Sequence, residues 1–246
     1  MKYNVLLLGS GGREHALAWK ISKSPLLGNF YALPGNPGIN SLARGVEGSV
    51  GDFNLILETV EKNDIDVVVC GPEDPLVEGL KDFLLSSVKP GRELLFVGPG
   101  KDGARLEGSK DFAKEFMARH GIPTAAYRTF TAGQKDEAME FLRSLRPPYV
   151  IKADGLAAGK GVVISPDMAE AESALDSIFG GRFGKAGAKV VIEEYLDGVE
   201  VSYFVLTDGH GWLLLPEAKD YKRIWDGDKG PNTGGMGSVS PVPFCD

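Results

Sequence analysis

The segment from Lys152 to Gly161 combines lysines, glycines and small residues in a way that could bind phosphate. It reads Lys-Ala-Asp-Gly-Leu-Ala-Ala-Gly-Lys-Gly. Glycines allow backbone N–H groups to approach an anion closely, and the ammonium groups of Lys152 and Lys160 supply positive charge. Apolar runs on both sides predict a hairpin with this segment at its tip. An ordinary glycine-rich β-turn with solvated lysines is the alternative that these residues leave open.

A second candidate anion site follows the first apolar strand, predicted at Val5–Leu8. This strand runs into Gly9 to His15, after which the apolar pattern predicts a helix. A helix N-terminus attracts anions, and Arg13 could add a two-point contact. A dinucleotide site is the alternative, but Glu14 occupies the third glycine position of that fingerprint, and the second strand leads to Asn36 rather than to an acid. The turn therefore favours a phosphate over NAD or FAD.

Alternating strands and helices must position this turn, and they predict a parallel sheet. In such a sheet the turns after the strands gather at the carboxyl edge, where open α/β sheets bind ligands. Simple turn chemistry and a solvated Glu73 are the alternatives. The predicted strands are Phe30–Leu33, Asp66–Cys70 and Leu94–Val97, the predicted helices are Phe53–Val60 and Leu76–Val88, and the turns are Gly9, Pro34-Gly35-Asn36, Gly71-Pro72-Glu73 and Gly98-Pro99.

A smaller α/β unit carries the lysine-rich segment. The helical region Lys101–His120, broken at Gly108, precedes it and places Lys110 just inside its second helix. A solvated lysine is the alternative there. A small module with a glycine-rich tip is typical of a lid that closes on substrate and excludes water. Its predicted strands are Tyr127–Phe130, Tyr149–Lys152, Val162–Ile164 and Val190–Ile192, and its predicted helices are Asp136–Leu145 and Ala169–Ile178.

The remaining sequence reads as a hinge followed by an unusual tail. The stretch from Glu193 to Glu200 leads into a strand predicted at Val201–Leu206; its backbone could recognise an adenine edge and Glu200 could bind ribose hydroxyls. A plain hairpin is the alternative. The tail Pro216–Asp246 mixes charges with a glycine-dense run, for which a disordered linker is the alternative.

Composition excludes several classes of function. The 246 residues include 27 basic and 34 acidic side chains, giving a net charge of -7, so we expect neither nucleic-acid nor membrane binding. No apolar run reaches the length of a membrane span and no signal peptide is evident, which favours a cytoplasmic protein. Cys70 and Cys245 have no metal-ligand spacing, so both are expected to be reduced thiols.

Taken together, these motifs resemble the ATP-grasp ligases, and among them the glycinamide ribonucleotide synthetase family of purine synthesis. The resemblance covers almost the whole chain. It rests on Gly11-Gly12-Arg13-Glu14-His15-Ala16, Pro34-Gly35-Asn36, Gly71-Pro72-Glu73, Leu106-Glu107-Gly108-Ser109-Lys110, Ile151 to Gly161, and Gly230-Pro231-Asn232-Thr233-Gly234-Gly235-Met236-Gly237.

The resemblance implies ATP-dependent ligation of glycine to 5-phosphoribosylamine through a glycyl phosphate, giving glycinamide ribonucleotide, ADP and phosphate. It assigns roles in three groups. Nucleotide contacts would be Lys110, Lys152, Gly155, Leu156, Ala157, Ala158, Gly159, Lys160, Gly161, Glu193, Glu194, Tyr195, Leu196 and Glu200; substrate contacts would be Gly11, Gly12, Arg13, Glu14, Asn36, Glu73, Asp154, Asn232, Thr233, Gly234 and Gly235; catalytic residues would be Arg223, Lys222 and Asp220.

Two departures from the family pattern matter. Lys219 and Tyr221 stand where Gln and His are more usual. The segment that binds Mg²⁺ or Mn²⁺ in the family is expected beyond Asp246, so none of these residues is predicted as a metal ligand and this chain alone is expected to be a poor catalyst. A non-catalytic nucleotide- or phosphoribosyl-binding module and an ATP-grasp ligase of different substrate are the alternatives. Further purine-pathway domains are possible partners.

The expected fold is α/β in three parts. A parallel-sheet pre-ATP-grasp domain that binds phosphoribosylamine spans residues 1–123. An ATP-grasp lid spans 124–192, and the start of the central ATP-grasp domain spans 193–246.

Overall fold

The computed structural model of the chain describes residues 2–157 and 161–245. The chain forms two compact units, Met1–Glu194 and Tyr195–Asp246. The first unit contains a five-stranded and a four-stranded sheet, and the second contains a three-stranded sheet. The α/β fold with a parallel first sheet is confirmed, whereas the three-part division of the chain stays a prediction.

The first sheet is parallel, with strand order β3-β2-β1-β4-β5. Its central strands are continuous apolar runs because helices cover both faces. Leu6 and Leu8 of the first strand pack towards one layer of helices and Leu7 towards the other, as a two-residue period requires. The strands are β1 (Tyr3–Gly9), β2 (Leu27–Pro34), β3 (Arg44–Gly45), β4 (Val67–Cys70) and β5 (Leu95–Val97).

The helices around this sheet follow the predicted pattern with one interruption. The helix predicted at Leu76–Val88 is two helices, because Gly79 between them has a φ of 98°, a left-handed conformation that ends a helix. The strand β3 and the second helix were not predicted, since both are very short. The helices are α1 (Gly12–Ile21), α2 (Pro37–Asn40), α3 (Phe53–Lys62), α4 (Asp74–Glu78) and α5 (Leu80–Ser87).

Two further helices follow the sheet, α6 (Lys101–Gly108) and α7 (Lys110–Arg119). The predicted break after Gly108 is confirmed. Ser109 lies between the two helices and caps the second one, because its side-chain oxygen accepts a hydrogen bond from the N–H of Phe112 at 3.1 Å. The cap fixes the position at which Lys110 enters α7.

The second sheet is antiparallel, with strand order β6-β9-β7-β8. Its two helices pack on one face, where they bury Ile151, Ile192 and Phe130. Because side chains alternate along a strand, Lys152 and Glu193 project from the opposite face. The elements are β6 (Tyr127–Thr131), α8 (Lys135–Ser144), β7 (Tyr149–Ala153), β8 (Val162–Ser165), α9 (Met168–Ser177) and β9 (Lys189–Glu193), with short helical turns at Ala132–Gln134, Ile178–Arg182 and Gly184–Gly187.

The second unit is a three-stranded antiparallel sheet formed by β10 (Ser202–Thr207), β11 (Trp212–Trp225) and β12 (Lys229–Val239). The tail considered as a disordered linker is therefore a long hairpin. Gly230 allows it to close, since its φ is 85° and a Cβ there would come within 2.7 Å of the Trp225 ring.

No helix within residues 2–157 and 161–245 is long and apolar enough to cross a membrane.

Candidate functional site

The first candidate site lies at the carboxyl edge of the parallel sheet. In the order β3-β2-β1-β4-β5 the strands that follow β1 are added first on one side of it and then, from β4, on the other; open α/β sheets bind ligands at such a switch point. The turns that begin at Gly9 and Gly71 follow these two strands. Arg13 connects them, because its Nη2 donates to the Gly71 carbonyl at 2.8 Å and lies 3.4 Å from Glu73 Oε2. The predicted clustering of turns at this edge is confirmed.

Glu14 lies beneath the first turn and is only 5% exposed. Its Oε2 accepts a hydrogen bond from the N–H of Gly11 at 2.7 Å, and its Oε1 accepts one from Arg13 Nε at 3.1 Å. The N–H of Gly11 is therefore already bound to a carboxylate, and the predicted contact of Gly11 with substrate stays a prediction. Glu14 holds the turn and Arg13 in place, while its direct contact with substrate stays a prediction.

Glycines surround Glu14 because no larger residue would fit. A Cβ on Gly71 would come within 2.6 Å of the Glu14 Cδ, and one on Gly9, whose φ is 120°, would come equally close to its Cγ. At Gly12 a Cβ would meet nothing within 4 Å. Two of these glycines therefore serve the packing of a buried carboxylate, a reason for their presence that the sequence did not reveal.

A cavity of about 360 Å³ opens beside Arg13 and is lined by Gly71, Glu73, Val77 and Glu107 among others. Burial opposes the charge of Arg13, but Glu14 and Glu73 raise the pKa of its guanidinium above the ordinary value. Arg13 therefore stays positively charged at all ordinary pH values and can bind a phosphate beside this cavity.

Two neighbouring side chains are occupied within the fold. Asn36 caps α2 by accepting from the N–H of Ile39 at 2.9 Å, and its amide donates to the Ser10 carbonyl at 2.8 Å. Burial raises the pKa of the Cys70 thiol to about 12, so the nucleophilic thiolate form is suppressed at neutral pH. Asn36 thus joins the first two turns, and its substrate contact stays a prediction.

The second candidate site forms where α7 meets the end of β7. Asp154 accepts hydrogen bonds from the Ser109 hydroxyl at 3.0 Å and from the N–H of Asp111 at 2.8 Å. Lys110 Nζ donates to the carbonyls of Asp154 and Gly155, at 3.2 and 3.1 Å. Asp154 therefore fixes the start of α7 against the base of the glycine-rich segment, and its predicted contact with substrate stays untested.

Two lysines pair with one buried glutamate at this site, and a third lies close to them. We call this group the Glu193 cluster: Lys110, Lys114, Lys152 and Glu193. Glu193 is 3% exposed and forms ion pairs with Lys152 through Oε1 and with Lys114 through Oε2. Lys152 and Glu193 meet because Val150 pairs with Glu193 across the strands, two residues from Lys152. Three ammonium groups around one carboxylate leave an excess of positive charge.

The pKa values of the cluster reflect this crowding. Burial, followed by the charges of Lys114 and Lys110, lowers the pKa of Lys152 to about 8, and the Glu193 ion pair opposes that decrease. Burial also lowers the pKa of Lys110, which the charge of Asp154 raises in part. It lowers the pKa of Lys114 as well, against the charge of Glu194. A polyphosphate would relieve the mutual repulsion of the lysines.

Lys114 is the residue that sequence reasoning missed. It lies one helical turn after Lys110, so the two lysines share a face of α7. That i, i+4 spacing was visible in the sequence, but lysines at this spacing usually mark a solvated face. Only the packing of α7 against the sheet shows that Lys114 is buried, at 8% exposure.

The glycine-rich segment begins and ends as a hairpin, as predicted, with Lys152 paired to Val162. Gly155 packs against Ala186, because a Cβ on Gly155 would come within 2.9 Å of the Ala186 Cα. The carbonyl of Gly161 accepts a hydrogen bond from the N–H of Ala153 at 2.8 Å. Leu156 and Ala157 continue the segment. The predicted nucleotide contacts Ala158, Gly159 and Lys160 lie outside the described residues.

The predicted hinge is divided between the two units. Glu194 ends the first unit and binds Ala126, the residue before β6: its Oε1 accepts from the N–H of Ala126 at 2.9 Å, and its own N–H donates to the Ala126 carbonyl at 3.0 Å. Tyr195 and Leu196 begin the second unit, and their side chains are exposed. The assignment of these residues to adenine binding stays a prediction.

In the second unit, Lys222 joins two acids from the predicted site. Its Nζ lies 2.5 Å from Glu200 Oε1 and 3.5 Å from Asp220 Oδ2. The hydrogen bond with Glu200, opposed by partial burial, raises the pKa of Lys222. The structure therefore brings the predicted ribose ligand Glu200 next to two of the three predicted catalytic residues.

Arg223 and the glycine-dense run belong to the hairpin of β11 and β12. Arg223 pairs in register with Asn232, and its Nη1 donates to the Gly230 carbonyl at 3.1 Å. The Thr233 hydroxyl donates to the Lys222 carbonyl at 2.8 Å and accepts from the N–H of Gly235 at 3.1 Å. A Cβ at Gly234 would meet nothing within 4 Å, so this part of the hairpin is open.

Across the described ranges 2–157 and 161–245, no group of three or more His, Cys, Asp or Glu side chains is arranged to share a metal ion.

Comparison with known families places the chain in two adjoining matches. Residues 3–107 match the family described as phosphoribosylglycinamide synthetase, N domain. Residues 108–246 match phosphoribosylglycinamide synthetase, ATP-grasp (A) domain. The boundary between the two matches falls at the junction of α6 and α7.

Individual relatives agree with these matches. A phosphoribosylamine-glycine ligase of Agrobacterium fabrum is 52% identical over 239 residues, which cover 97% of this chain and 55% of the relative. The trifunctional purine biosynthetic protein adenosine-3 of Drosophila melanogaster is 48% identical over 251 residues, covering 99% of this chain and 18% of that protein. The chain thus spans about half the length of the single-function relative.

Solved structures show the same fold. The crystal structure of a phosphoribosylamine-glycine ligase from Thermotoga maritima superposes with a TM-score of 0.77 at 36% identity, covering 98% of this chain and 56% of that one. An N5-carboxyaminoimidazole ribonucleotide synthetase from Thermus thermophilus has a TM-score of 0.69 at 20% identity, which establishes similarity of fold alone.

Proposed function

The chain belongs to the phosphoribosylglycinamide synthetase family, and we propose that it provides the phosphoribosylamine- and ATP-binding parts of a ligase that joins glycine to 5-phosphoribosylamine. In the proposed reaction a glycine carboxylate oxygen attacks the γ-phosphorus of ATP, giving glycyl phosphate and ADP. The amine of phosphoribosylamine then attacks the acyl carbon, phosphate leaves, and the amine loses a proton. The final products are glycinamide ribonucleotide, ADP and phosphate.

The single observation that supports ATP binding most strongly is the Glu193 cluster at the base of the glycine-rich segment. The buried carboxylate of Glu193 is shared by Lys114 and Lys152, so its one negative charge does not neutralise all the lysines of the cluster. Lys110 and the partly exposed Lys152 can therefore bind an anion. Phosphoryl transfer depends mainly on positioning and on neutralising the charge of the phosphates. Lys110 and Lys152 fit that requirement, with Gly155 to Gly161 as the proposed cover.

The first site suits a smaller anion. Arg13 remains charged, lies at the switch point of the parallel sheet and borders a cavity of about 360 Å³. We assign the phosphate of phosphoribosylamine to Arg13 and Gly12, and its amine end to the side of the cavity that carries Glu73. Glu14 and Asn36 support these residues.

The hairpin of the second unit supplies the proposed glycine and γ-phosphate contacts. Arg223 would stabilise the transferred charge, and Asp220, Lys222 and Asn232 to Gly235 would contact the reacting groups. Mg²⁺ or Mn²⁺ would neutralise the ATP phosphates. A cytoplasmic location and an association with further purine-pathway domains, as in the trifunctional Drosophila relative, complete the proposal.

Isothermal titration calorimetry with ADP, ATP and NAD tests the binding part. We expect both adenine nucleotides to bind and NAD not to bind; binding of NAD alone would overturn the assignment. Incorporation of labelled glycine in the presence of ATP, Mg²⁺ and phosphoribosylamine tests the ligation; it is measured on a full-length form, because this chain alone is expected to be a poor catalyst. Product that forms only with glycine supports this ligase, while equal phosphate release with another carboxylate in place of glycine indicates a different substrate.

A further inference from the structure

Lys114 is almost fully enclosed by protein groups. Its ammonium pairs with Glu193 Oε2, donates to the Thr124 hydroxyl at 2.8 Å and lies 3.4 Å from the Ala125 carbonyl. These three partners account for the three N–H donors of an ammonium group. Its side chain is 9% exposed, against 28% for Lys152. Lys114 is therefore the less accessible of the two lysines that pair with Glu193.

The Glu193 carboxylate is divided between the two lysines. One oxygen faces Lys114 and the other faces Lys152, so the buried negative charge is shared between an enclosed cation and a more accessible one. If Lys114 were absent, the whole carboxylate charge would act on Lys152 and on any approaching phosphate. Repulsion between two anions at short range in a poorly solvated site is strong.

We propose that Lys114 is a positioning residue for nucleotide binding: it neutralises Glu193, so that Lys152 can direct its charge to a nucleotide phosphate. This inference rests on the proposed function, because it concerns the same ATP site. It also explains why α7 carries two lysines on one face. Lys110 faces the base of the glycine-rich segment, and Lys114 faces the buried acid.

Lys114 is the counterion of Glu193 Oε2, because the other charged groups around the site have partners of their own. The Asp154 carboxylate is engaged by Ser109 and by the N–H of Asp111, and Glu194 binds the N–H of Ala126. The nearby Lys189 pairs with Asp111 at 2.5 Å instead. Lys189, on the strand that carries Glu193, thus provides a control of equal charge.

The test is a binding cycle on the whole chain with ADP and with adenosine as probes, measured by calorimetry. The variants are Lys114→Met, Glu193→Gln, the double variant of these two, and Lys189→Met as the control. In Lys114→Met we expect the dissociation constant of ADP to rise about tenfold, because an unshared carboxylate repels the phosphates, while that of adenosine changes less than about twofold. Lys189→Met should bind both probes as the original chain does.

The double variant separates charge balance from a structural role. Removing Glu193's charge as well as Lys114's leaves Lys110 and Lys152 unopposed, so ADP affinity should recover to within about threefold of the original chain. Circular dichroism checks that each variant is folded. If Lys114→Met unfolds, Lys114→Arg replaces it; Lys114→Arg keeps the positive charge, so it should retain ADP affinity.

Three results would overturn the inference: equal losses for ADP and adenosine in Lys114→Met, no loss of ADP affinity there, or a double variant that binds ADP no better than Lys114→Met. If Lys114→Met unfolds, two other results overturn the inference. One is a loss of ADP affinity in Lys114→Arg, and the other is a folded double variant whose ADP affinity is not within about threefold of that of the original chain. A failure of the original chain to bind ADP would instead contradict the proposed function, so the two proposals fail separately.

Discussion

Two buried glutamates organise the first unit, and they do so in different ways. Glu14 lies under the parallel sheet's first turn, where it binds one cation, Arg13, and one backbone N–H. Glu193 lies on the antiparallel sheet, where two lysines share it and a third is close. In the first arrangement Glu14 and Arg13 balance each other, with the exposed Glu73 as a second acid near the guanidinium, and the guanidinium does not titrate. The second has excess positive charge carried by groups that do.

The comparison suggests how each place suits its proposed ligand. A balanced, glycine-packed turn is a rigid support for a single phosphate, because the carboxylate fixes the cation and the turn together. A cluster with excess charge is strained without an anion and is relieved by a polyphosphate.

The largest effect should come from replacing the glutamates themselves. Glu193→Gln leaves two desolvated lysines without a counterion, and we expect the free energy of unfolding to fall by about 3 kcal/mol at pH 7. Glu14→Gln can still accept from Gly11, and the Arg13 side chain is mostly exposed, so a loss of about 1 kcal/mol is expected. Urea unfolding of both variants measures the difference. Equal losses would contradict the comparison.

The packing around Glu14 should show the next largest effect. Gly71→Ala would place a Cβ within 2.6 Å of the Glu14 Cδ and force the carboxylate to move, with an expected loss of about 2 kcal/mol. Gly12→Ala is the matched control, because its Cβ would meet nothing within 4 Å; no loss is expected there. Thermal unfolding compares the two variants, and a similar melting temperature for both would show that Glu14 does not require the glycine.

The two sites should also differ in their response to pH. Lys152 is charged below its pKa of about 8 and neutral above it, so ADP affinity should be full at pH 7 and decrease by about fivefold between pH 8 and pH 9. Burial, followed by the charges of Lys114 and Lys110, is the cause of this low pKa. Calorimetry from pH 7 to pH 9.5 measures it.

Two controls accompany the pH series. Lys152→Arg keeps its charge throughout, so its ADP affinity should depend much less on pH in this range than that of the original chain. Ribose 5-phosphate, as a probe of the Arg13 site, should bind equally at both ends of the range, because the pKa of Arg13 is raised above an already high value. A parallel decrease for ribose 5-phosphate would remove the distinction between the sites.

The smallest effect on stability should come from an exposed ion pair in the second unit. Glu200 and Lys222 have side chains that are 67% and 42% exposed, so Glu200→Gln should change the free energy of unfolding by no more than about 0.5 kcal/mol. ADP affinity should nevertheless fall if Glu200 binds ribose. Urea unfolding and calorimetry on one variant separate these effects, and unchanged ADP affinity would remove Glu200 from the nucleotide site.

Much of the fold could be predicted because its signals are local. The run at Val5–Leu8, the alternation of strands and helices, and Gly108 as a helix stop depend on hydrophobic period and backbone conformation, which neighbouring residues determine. The break at Gly79 was missed because the sequence does not show whether a glycine within an amphipathic pattern has the positive φ that ends a helix. The β11–β12 hairpin was missed because its glycine-dense strand lacks a clear alternation of apolar residues.

The sequence by itself determined which chemistry is available: two lysines in a glycine-rich segment, an arginine after a strand, and a set of motifs typical of one ligase family. Only the tertiary structure decided which of these groups meet. From the sequence, Glu14 and Glu193 were predicted to contact the ligands directly, and Lys114 looked like an ordinary surface lysine. Their roles depend on burial and on partners up to 79 residues away, such as Lys114 for Glu193, and such distances are fixed by packing rather than by local pattern.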